Sequence, residues 1–149
     1  MKKIIFILLT AVLLTTSATA QSAEKVSKIL ESEGISKGEA SYFSCVYKNL
    51  AEENISENEA FDILAQKNLF AENENADEKI SLSKACYLIS ETSGMKGGIF
   101  YSIFKSARYS FREFKAIGII PQNADPAQNV SGSDFIALLN GFDKKGKTK

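Results

Sequence analysis

The fold is decided by residues 107–139, which read ARYSFREFKAIGIIPQNADPAQNVSGSDFIALL. The first third of this stretch predicts an amphipathic helix, because its apolar side chains recur close to every 3.6 residues. These apolar residues are Tyr109, Phe111, Phe114 and Ile117. Gly118 suits a helix end, since glycine tolerates left-handed backbone angles, and Pro121 prevents the helix from continuing.

The second half of the stretch predicts a polar loop and another helix. Residues 122–129 are mostly polar and contain Asp125-Pro126, a turn signal. Ser131, with Asp134 three residues on, has the spacing of a capping box at a helix start. The apolar face of this helix comes from Phe135, Ile136, Leu138 and Leu139. The whole stretch is therefore a helix–loop–helix unit.

The same unit occurs a second time, 50 residues upstream. Phe61–Ser90 aligns with Phe111–Asn140 without a gap, with five of 30 pairs identical and seven further pairs apolar in both copies. A shorter copy begins at Ile35-Ser36, which matches Ile80-Ser81. Internal repeats of this kind indicate an architecture of stacked supersecondary units.

These copies predict a single all-α domain of helix–loop–helix repeats over residues 21–142. The repeats lie near residues 23–50, 51–94 and 95–142. Capping boxes at Ser36 with Glu39, and at Ser56 with Glu59, mark two more helix starts. Ile99–Phe104 is the most apolar run after the N-terminal segment, and it predicts either a short helix or an extended segment that fills the core.

Ala107–Leu139 resembles an S-layer homology repeat. That family's pattern runs from a helix through Gly-Ile-Ile and a Gly/Asp loop to a Thr-Arg-Ala-Glu-Phe helix start. In this chain the Gly-Ile-Ile element is Gly118-Ile119-Ile120, and the helix start is Ser131–Phe135. In the other copy the helix start is Ser81–Ala85. The motif's arginine is replaced by Leu82 and Gly132.

The resemblance implies three repeats in one pseudo-threefold helical domain that attaches an exported protein to peptidoglycan or a cell-wall polysaccharide. The predicted function is therefore that of a non-enzymatic envelope protein that binds such a polymer. The alternative is a periplasmic protein–protein interaction module on the same scaffold, which would use the apolar surface near Gly97–Phe104.

A basic helical face is the predicted polymer-binding surface. Lys105, Arg108, Arg112 and Lys115 recur three or four residues apart, so they cluster on one side of a helix beside Tyr109. Arginine binds carboxylates bidentately, and an aromatic ring packs against an apolar ring face. From the family motif, Ser131 and Asp134 are added to this set. The alternative interpretation is an ordinary solvated face.

The N-terminus predicts export. Met1–Ala20 has a basic start at Lys2 and Lys3, an apolar stretch over Ile4–Leu14 and a small-residue cleavage site ending at Ala20. The apolar stretch is shorter than the roughly 20 residues that span a bilayer. No second such run follows, so no transmembrane segment is expected in the mature chain, and its predicted location is the periplasm or the cell surface.

Charge is distributed unevenly along the mature chain. Residues 21–94 contain 14 acidic and 7 basic side chains, whereas residues 95–149 contain 4 acidic and 9 basic ones. An anionic partner would be steered to the second half. Nucleic acid is not an expected partner, because the mature chain as a whole is mildly acidic and exported. Asp143–Lys149 predicts a disordered basic tail.

The two cysteines, Cys45 and Cys86, leave two interpretations open. An even number in an oxidising compartment favours a disulfide that closes a loop of about 40 residues. Both residues also lie on helical patterns that face the core, which favours two buried free thiols.

No residue pattern indicates catalysis or a cofactor. The chain has no histidine, the usual general base and commonest zinc ligand, and no G-x-S-x-G motif. A calcium loop is weakly indicated by oxygen-bearing residues at EF-hand spacing: Asn123, Asp125, Asn129, Ser131 and Asp134. Gln128 stands where such a loop needs glycine, so we predict no metal site.

Overall fold

The computed structural model describes residues 23–146, which form seven α-helices. Helix α1 covers residues 23–30, α2 Lys37–Tyr47, α3 Glu57–Ala65, α4 Leu82–Thr92, α5 Ile99–Ile103, α6 Ala107–Ala116 and α7 Gly132–Lys145. This range contains no β-strand, so the all-α prediction is confirmed. None of the helices between residues 23 and 146 has both the length and the apolarity needed to cross a membrane. The predicted signal peptide, Met1–Ala20, lies outside the described residues.

Serine side chains cap four of the helices. Ser36 Oγ accepts a hydrogen bond from Glu39 N at 3.0 Å, and the Glu39 carboxylate accepts one from Ser36 N at 2.7 Å. The three other capping serines are Ser56, Ser81 and Ser131. The capping boxes predicted at Ser36 and Ser56 are confirmed. Each cap satisfies a backbone N–H that has no partner inside the helix.

Three of the helix starts meet in a closed ring of backbone hydrogen bonds. Ile35 N donates to Val130 O at 2.9 Å, Val130 N donates to Ile80 O at 3.3 Å, and Ile80 N donates to Ile35 O at 3.1 Å. All three side chains are buried. Each residue directly precedes a capping serine, so the ring places the first turns of α2, α4 and α7 around one point.

The two long loops, which follow α3 and α6, have matching local conformations. Asn68 and Gly118 occupy the same position after the helix and have φ angles of 60° and 68°. Further on, Asn75 Oδ1 and Asp125 Oδ1 each accept a hydrogen bond from the backbone N–H two residues later. Gly118 ends α6 as predicted, because the left-handed region favours glycine and asparagine.

Helix α4 lies at the centre of the domain and packs most extensively against α6, while α2 packs mainly against α3. The largest fully buried side chains in these helices are Tyr42, Leu64, Leu88, Ile89 and Phe114. From α7, Phe142 stacks on Phe114 with ring centroids 5.4 Å apart. One continuous hydrophobic core therefore contains side chains from α1, α2, α3, α4, α6 and α7.

Helix α1 closes against the start of α7. Gly132 N donates to Ser32 O at 3.0 Å, just beyond the end of α1. A Cβ atom on Gly132 would lie 1.7 Å from Ile29 O, which is far inside van der Waals contact. Glycine at position 132 is thus required by the close approach of the α1 backbone.

The predicted Cys45–Cys86 disulfide is absent, and both residues are buried free thiols. Cys45 Sγ is directed at α3, where it lies 4.0 Å from Ala60 O. Burial raises the pKa of both thiols, so they are protonated in the folded protein. The structure therefore corrects the disulfide prediction in favour of its alternative.

The predicted domain end at residue 142 is also wrong, because α7 continues to Lys145. Its last turn is held by Asp143, which accepts hydrogen bonds from Tyr47 Oη at 2.6 Å and Lys48 Nζ at 2.7 Å. Lys145 Nζ donates to Gly118 O at 2.7 Å. Residues 143–146 are therefore ordered by tertiary contacts, and residues 147–149 lie outside the described range.

Candidate functional site

Helix α6 carries the centre of the predicted basic face. Arg108 and Arg112 are one turn apart and exposed, and Tyr109 beside them is half-buried. The Arg112 guanidinium carbon lies 6.0 Å from the centroid of the Tyr109 ring. The sequence prediction therefore correctly placed these three residues together.

Both arginines are without an ion pair in the part of the chain that the structure describes. Within the described part of the chain, Arg108 and Arg112 make no salt bridge, whereas Lys37, Lys48 and Lys84 are each paired with a carboxylate. A guanidinium without a carboxylate partner keeps its fork of N–H donors for an external anion. The two arginines are thus available for an acidic ligand.

Two phenylalanines extend the site beyond α6. The Phe100 ring lies 6.2 Å from the Tyr109 ring, centroid to centroid, with an interplanar angle of 8°. The Phe104 ring lies 5.9 Å from the same tyrosine at 25°. We call these five residues the aromatic–arginine face: Phe100, Phe104, Arg108, Tyr109 and Arg112. Sequence reasoning missed both phenylalanines as site residues.

The apolar run that contains these phenylalanines does not fill the core. It forms the short helix α5 and the residue after it, and of its side chains Tyr101 alone is buried. The exposed ones are Ile99, Phe100, Ile103 and Phe104. Of the two predictions for Ile99–Phe104, the short helix is confirmed. The core-filling segment is wrong, because hydrophobicity alone does not show which side of a short helix faces solvent.

The two outer lysines of the predicted face have other partners. Lys115 Nζ donates to Gln122 O at 2.7 Å and to Ala124 O at 3.1 Å, so it holds the loop after α6. Lys105 Nζ lies 3.4 Å from Glu91 Oε2 at the exposed edge of the face. The structure gives Lys115 a structural role, and we leave it out of the site.

Ser131 and Asp134 act together as the cap of α7. Ser131 Oγ accepts a hydrogen bond from Asp134 N at 3.1 Å and lies 2.7 Å from Asp134 Oδ2. Asp134 also lines a cleft of about 460 Å³ with Leu82 and Pro121. No basic side chain and no residue of the aromatic–arginine face lines this cleft, so the structure does not join Ser131 and Asp134 to the arginines.

No protein-family model matches the chain. Neither a curated protein nor a solved structure matches it. The similarity of Ala107–Leu139 to S-layer homology repeats therefore stays a prediction, and the site is interpreted from its own geometry.

A buried lysine at the start of α2 was missed by the sequence reasoning. Lys37 follows the capping Ser36, which is the position that Leu82 and Gly132 hold after Ser81 and Ser131. Its Nζ lies 3.0 Å from Glu74 Oε1 and also binds Glu78. Comparing the three helix starts would have singled out this position but not the carboxylate partners of the lysine. Its carboxylate partners already satisfy its charge, so we do not include it in the site.

Metal-ligating side chains do not group together in the described chain. Asp125, which the calcium-loop hypothesis invoked, accepts a 2.8 Å hydrogen bond from Ala127 N instead. Between residues 23 and 146, no three His, Cys, Asp or Glu side chains lie close enough to hold a metal ion.

Proposed function

We propose that this protein is an exported, non-enzymatic envelope protein that binds an acidic polymer, peptidoglycan or a surface polysaccharide, through its aromatic–arginine face. The observation that carries the proposal is the pair of exposed arginines without a carboxylate partner beside a half-buried tyrosine ring. Guanidinium groups bind the carboxylates of such a polymer bidentately, and Tyr109 offers a flat ring for a sugar face.

Charge along the chain supports an acidic ligand. Residues 95–118, which include α5 and α6, contain five basic side chains and one acidic one. The preceding residues 21–94 are acidic overall. An anionic polymer is therefore repelled by one part of the molecule and attracted to the other, which favours one orientation on the wall.

We also infer that the three helical units are repeats of the S-layer homology type. Support comes from the closed hydrogen-bond ring of Ile35, Ile80 and Val130, in which each unit contributes the residue before a helix start. Matching turns in the two long loops support the same inference. In this interpretation the close α1–α7 contact at Gly132 replaces a family arginine site, so binding moves to α6.

The test is co-sedimentation of the mature chain, Gln21–Lys149, with isolated cell-wall sacculi at low and at high salt. We expect pelleting at low salt that falls as salt screens the charges. Arg108→Ala with Arg112→Ala should weaken binding about ten-fold or more, since hydrogen bonds to charged groups contribute roughly 1.5–3 kcal/mol each.

A matched control removes two cations elsewhere. Lys28 and Lys67 are exposed and lie outside the face, so Lys28→Ala with Lys67→Ala changes the net charge equally. The control should bind within about two-fold of the wild type. Equal pelleting of wild type, arginine variant and control would contradict the proposal, as would a protein that stays in the supernatant at both salt concentrations.

A further inference from the structure

Four large apolar side chains protrude from one short segment. Ile99 is 77% exposed, Phe100 62%, Ile103 65% and Phe104 56%, and no other large apolar residue of the described chain exceeds 42%. We call these four residues the α5 patch. A contiguous apolar patch of this kind on a small domain marks an interaction surface.

The α5 patch is held outward by specific contacts. Tyr101, between the exposed residues, is 1% exposed and donates its hydroxyl to Glu91, which anchors the segment on α4. Before it, Gly97 lies so close to the Tyr101 ring that a Cβ there would be 2.6 Å from a ring carbon. The buried Tyr101 side chain therefore holds the segment on the domain, and the apolar side chains on its other face stay exposed.

Basic residues outnumber acidic ones near the α5 patch. Four cations lie within eight residues of it along the chain: Lys96, Lys105, Arg108 and Arg112. The acidic groups nearby are Glu91, which binds Tyr101 and Lys105, and Glu113, whose carboxylate lies beside Gly98. These six side chains have a net charge of +2, and within residues 23–146 neither arginine forms a salt bridge.

We propose that the α5 patch inserts into the surface of an anionic lipid bilayer, with the surrounding arginines and lysines on the lipid phosphates. Apolar side chains with a basic rim have the chemistry of an interfacial membrane site, where the apolar groups enter about 5–10 Å and cations bind anionic headgroups. The patch consists of four side chains on one short segment, whereas a stable protein interface needs roughly 800 Å² from each partner. Charge complementarity thus favours a lipid surface as the occupant.

The inference goes beyond polymer binding, and two of the four inserting side chains do not belong to the aromatic–arginine face. Ile99 and Ile103 belong to the α5 patch but not to the aromatic–arginine face. Changing them removes apolar surface and leaves the tyrosine, the phenylalanine rings and the arginines in place. Lipid insertion and polymer binding can therefore be separated by substitution.

The experiment is flotation of Gln21–Lys149 with vesicles of phosphatidylcholine and phosphatidylglycerol, and with vesicles of phosphatidylcholine alone. We expect binding to the anionic vesicles and about ten-fold weaker binding by Ile99→Ser with Ile103→Ser. Leu30→Ser with Leu50→Ser is the matched control, because these residues are 42% and 41% exposed and lie outside the patch. This control should bind like the wild type.

A second readout reports insertion directly. The chain contains no tryptophan, so Phe100→Trp provides a single fluorophore in the α5 patch. Its emission should shift to shorter wavelength with anionic vesicles and not with phosphatidylcholine alone. An unshifted emission with bound vesicles would mean adhesion by charge only, and would overturn the insertion.

The other outcomes are equally distinct. Failure of the wild type to float with anionic vesicles at low salt would overturn the inference, whatever the sacculi do. Absence of vesicle binding together with self-association that Ile99→Ser with Ile103→Ser abolishes would make the patch a protein interface, and also overturn it. If the protein binds vesicles but does not pellet with sacculi, this inference is supported and the proposed function is contradicted.

Discussion

At the scale of single residues, Lys37 is a buried charge that is held by two carboxylates, Glu74 and Glu78. Although burial lowers its pKa, the hydrogen bonds and charges of Glu78 and Glu74 outweigh this effect and raise it. Glu74 lies between two cations, with Lys84 Nζ 2.9 Å from its other oxygen. This group joins the start of α2 to the loop before α4 and to α4 itself.

Glu74 makes the stability of this connection dependent on pH. Burial raises the pKa of Glu74, but hydrogen bonds from Ala71 N, Lys84 and Lys37 together lower it below its ordinary value of 4.5. A carboxyl whose pKa is lower in the folded state stabilises the protein above its unfolded pKa, and this stabilisation is lost as pH falls through the folded value. Acid should therefore weaken the contact that Glu74 makes between α2 and α4.

We predict that Glu74→Gln costs about 1 kcal/mol of unfolding free energy near neutral pH, since it removes a partly exposed ion pair with two lysines. The loss of stability below pH 4.5 should then be shallower than in the wild type. Urea unfolding across the acid range measures both effects. The control is Glu72→Gln, an exposed neighbour outside the ion pairs. Identical acid profiles for Glu74→Gln and wild type would contradict the assignment.

Residue types alone did not reveal this group. A lysine one position after a capping serine predicts a solvated helix start, and only the fold brings Glu74 and Glu78 to it. The arginines of α6 were easier to predict, because they lie on one helical face whose neighbours are close in sequence. Spacing along one helix thus predicted the arginines of the candidate site. The burial of Lys37 depends on long-range packing, which local spacing does not show.

At the scale of secondary-structure elements, the helix starts were the most predictable feature. Serine followed by glutamate three residues later describes a local hydrogen-bond pair that needs no tertiary information. A helix was also expected in the first third of residues 107–139, and α6 does start there, after Ser106, but the Ser106 side chain makes no capping hydrogen bond. Sequence located this start correctly and could not show how it is capped.

This contrast predicts a difference between two similar substitutions. Ser36→Ala should cost about 1 kcal/mol of unfolding free energy, because it removes the oxygen that accepts from Glu39 N. Ser106→Ala should cost no more than about half of that, since no capping bond is lost. Thermal or urea unfolding of both variants measures the difference. Equal losses would show that the Ser36 cap does not stabilise α2.

Helix α5 is the element that sequence interpreted least well. Five residues are too few for a helical period to reveal its buried side, and only Tyr101 finds a place in the core. Its orientation depends on Glu91 in α4 and on the tight approach at Gly97. Both contacts depend on the assembled fold and are invisible in a local pattern.

At the scale of the whole molecule, the N-terminal and C-terminal helices α1 and α7 meet at Gly132. Gly132→Ala would place a Cβ 1.7 Å from Ile29 O, so either α1 or the start of α7 must move. We predict a loss of about 2–4 kcal/mol of unfolding free energy, the range of a severe packing change. Loss of amide-exchange protection should be largest in α1 and in the first turn of α7.

The matched control is Gly34→Ala. A Cβ at Gly34 would meet its nearest neighbour, Asn129 Cβ, at an ordinary 3.8 Å. This variant should stay within about 0.5 kcal/mol of the wild type. A Gly132→Ala protein that is as stable as the Gly34→Ala protein would mean that α1 does not close the domain in this way.

The ring of Ile35, Ile80 and Val130 has a consequence for how the chain acquires its structure. Ile35 is bonded directly to Val130, 95 positions later, so the ring cannot close until nearly the whole domain has emerged. Contacts of such long sequence separation slow folding, because the intervening chain must be ordered first. In the exported protein that we propose, this delay would be an advantage, because a chain that folds late can first be threaded through an export channel.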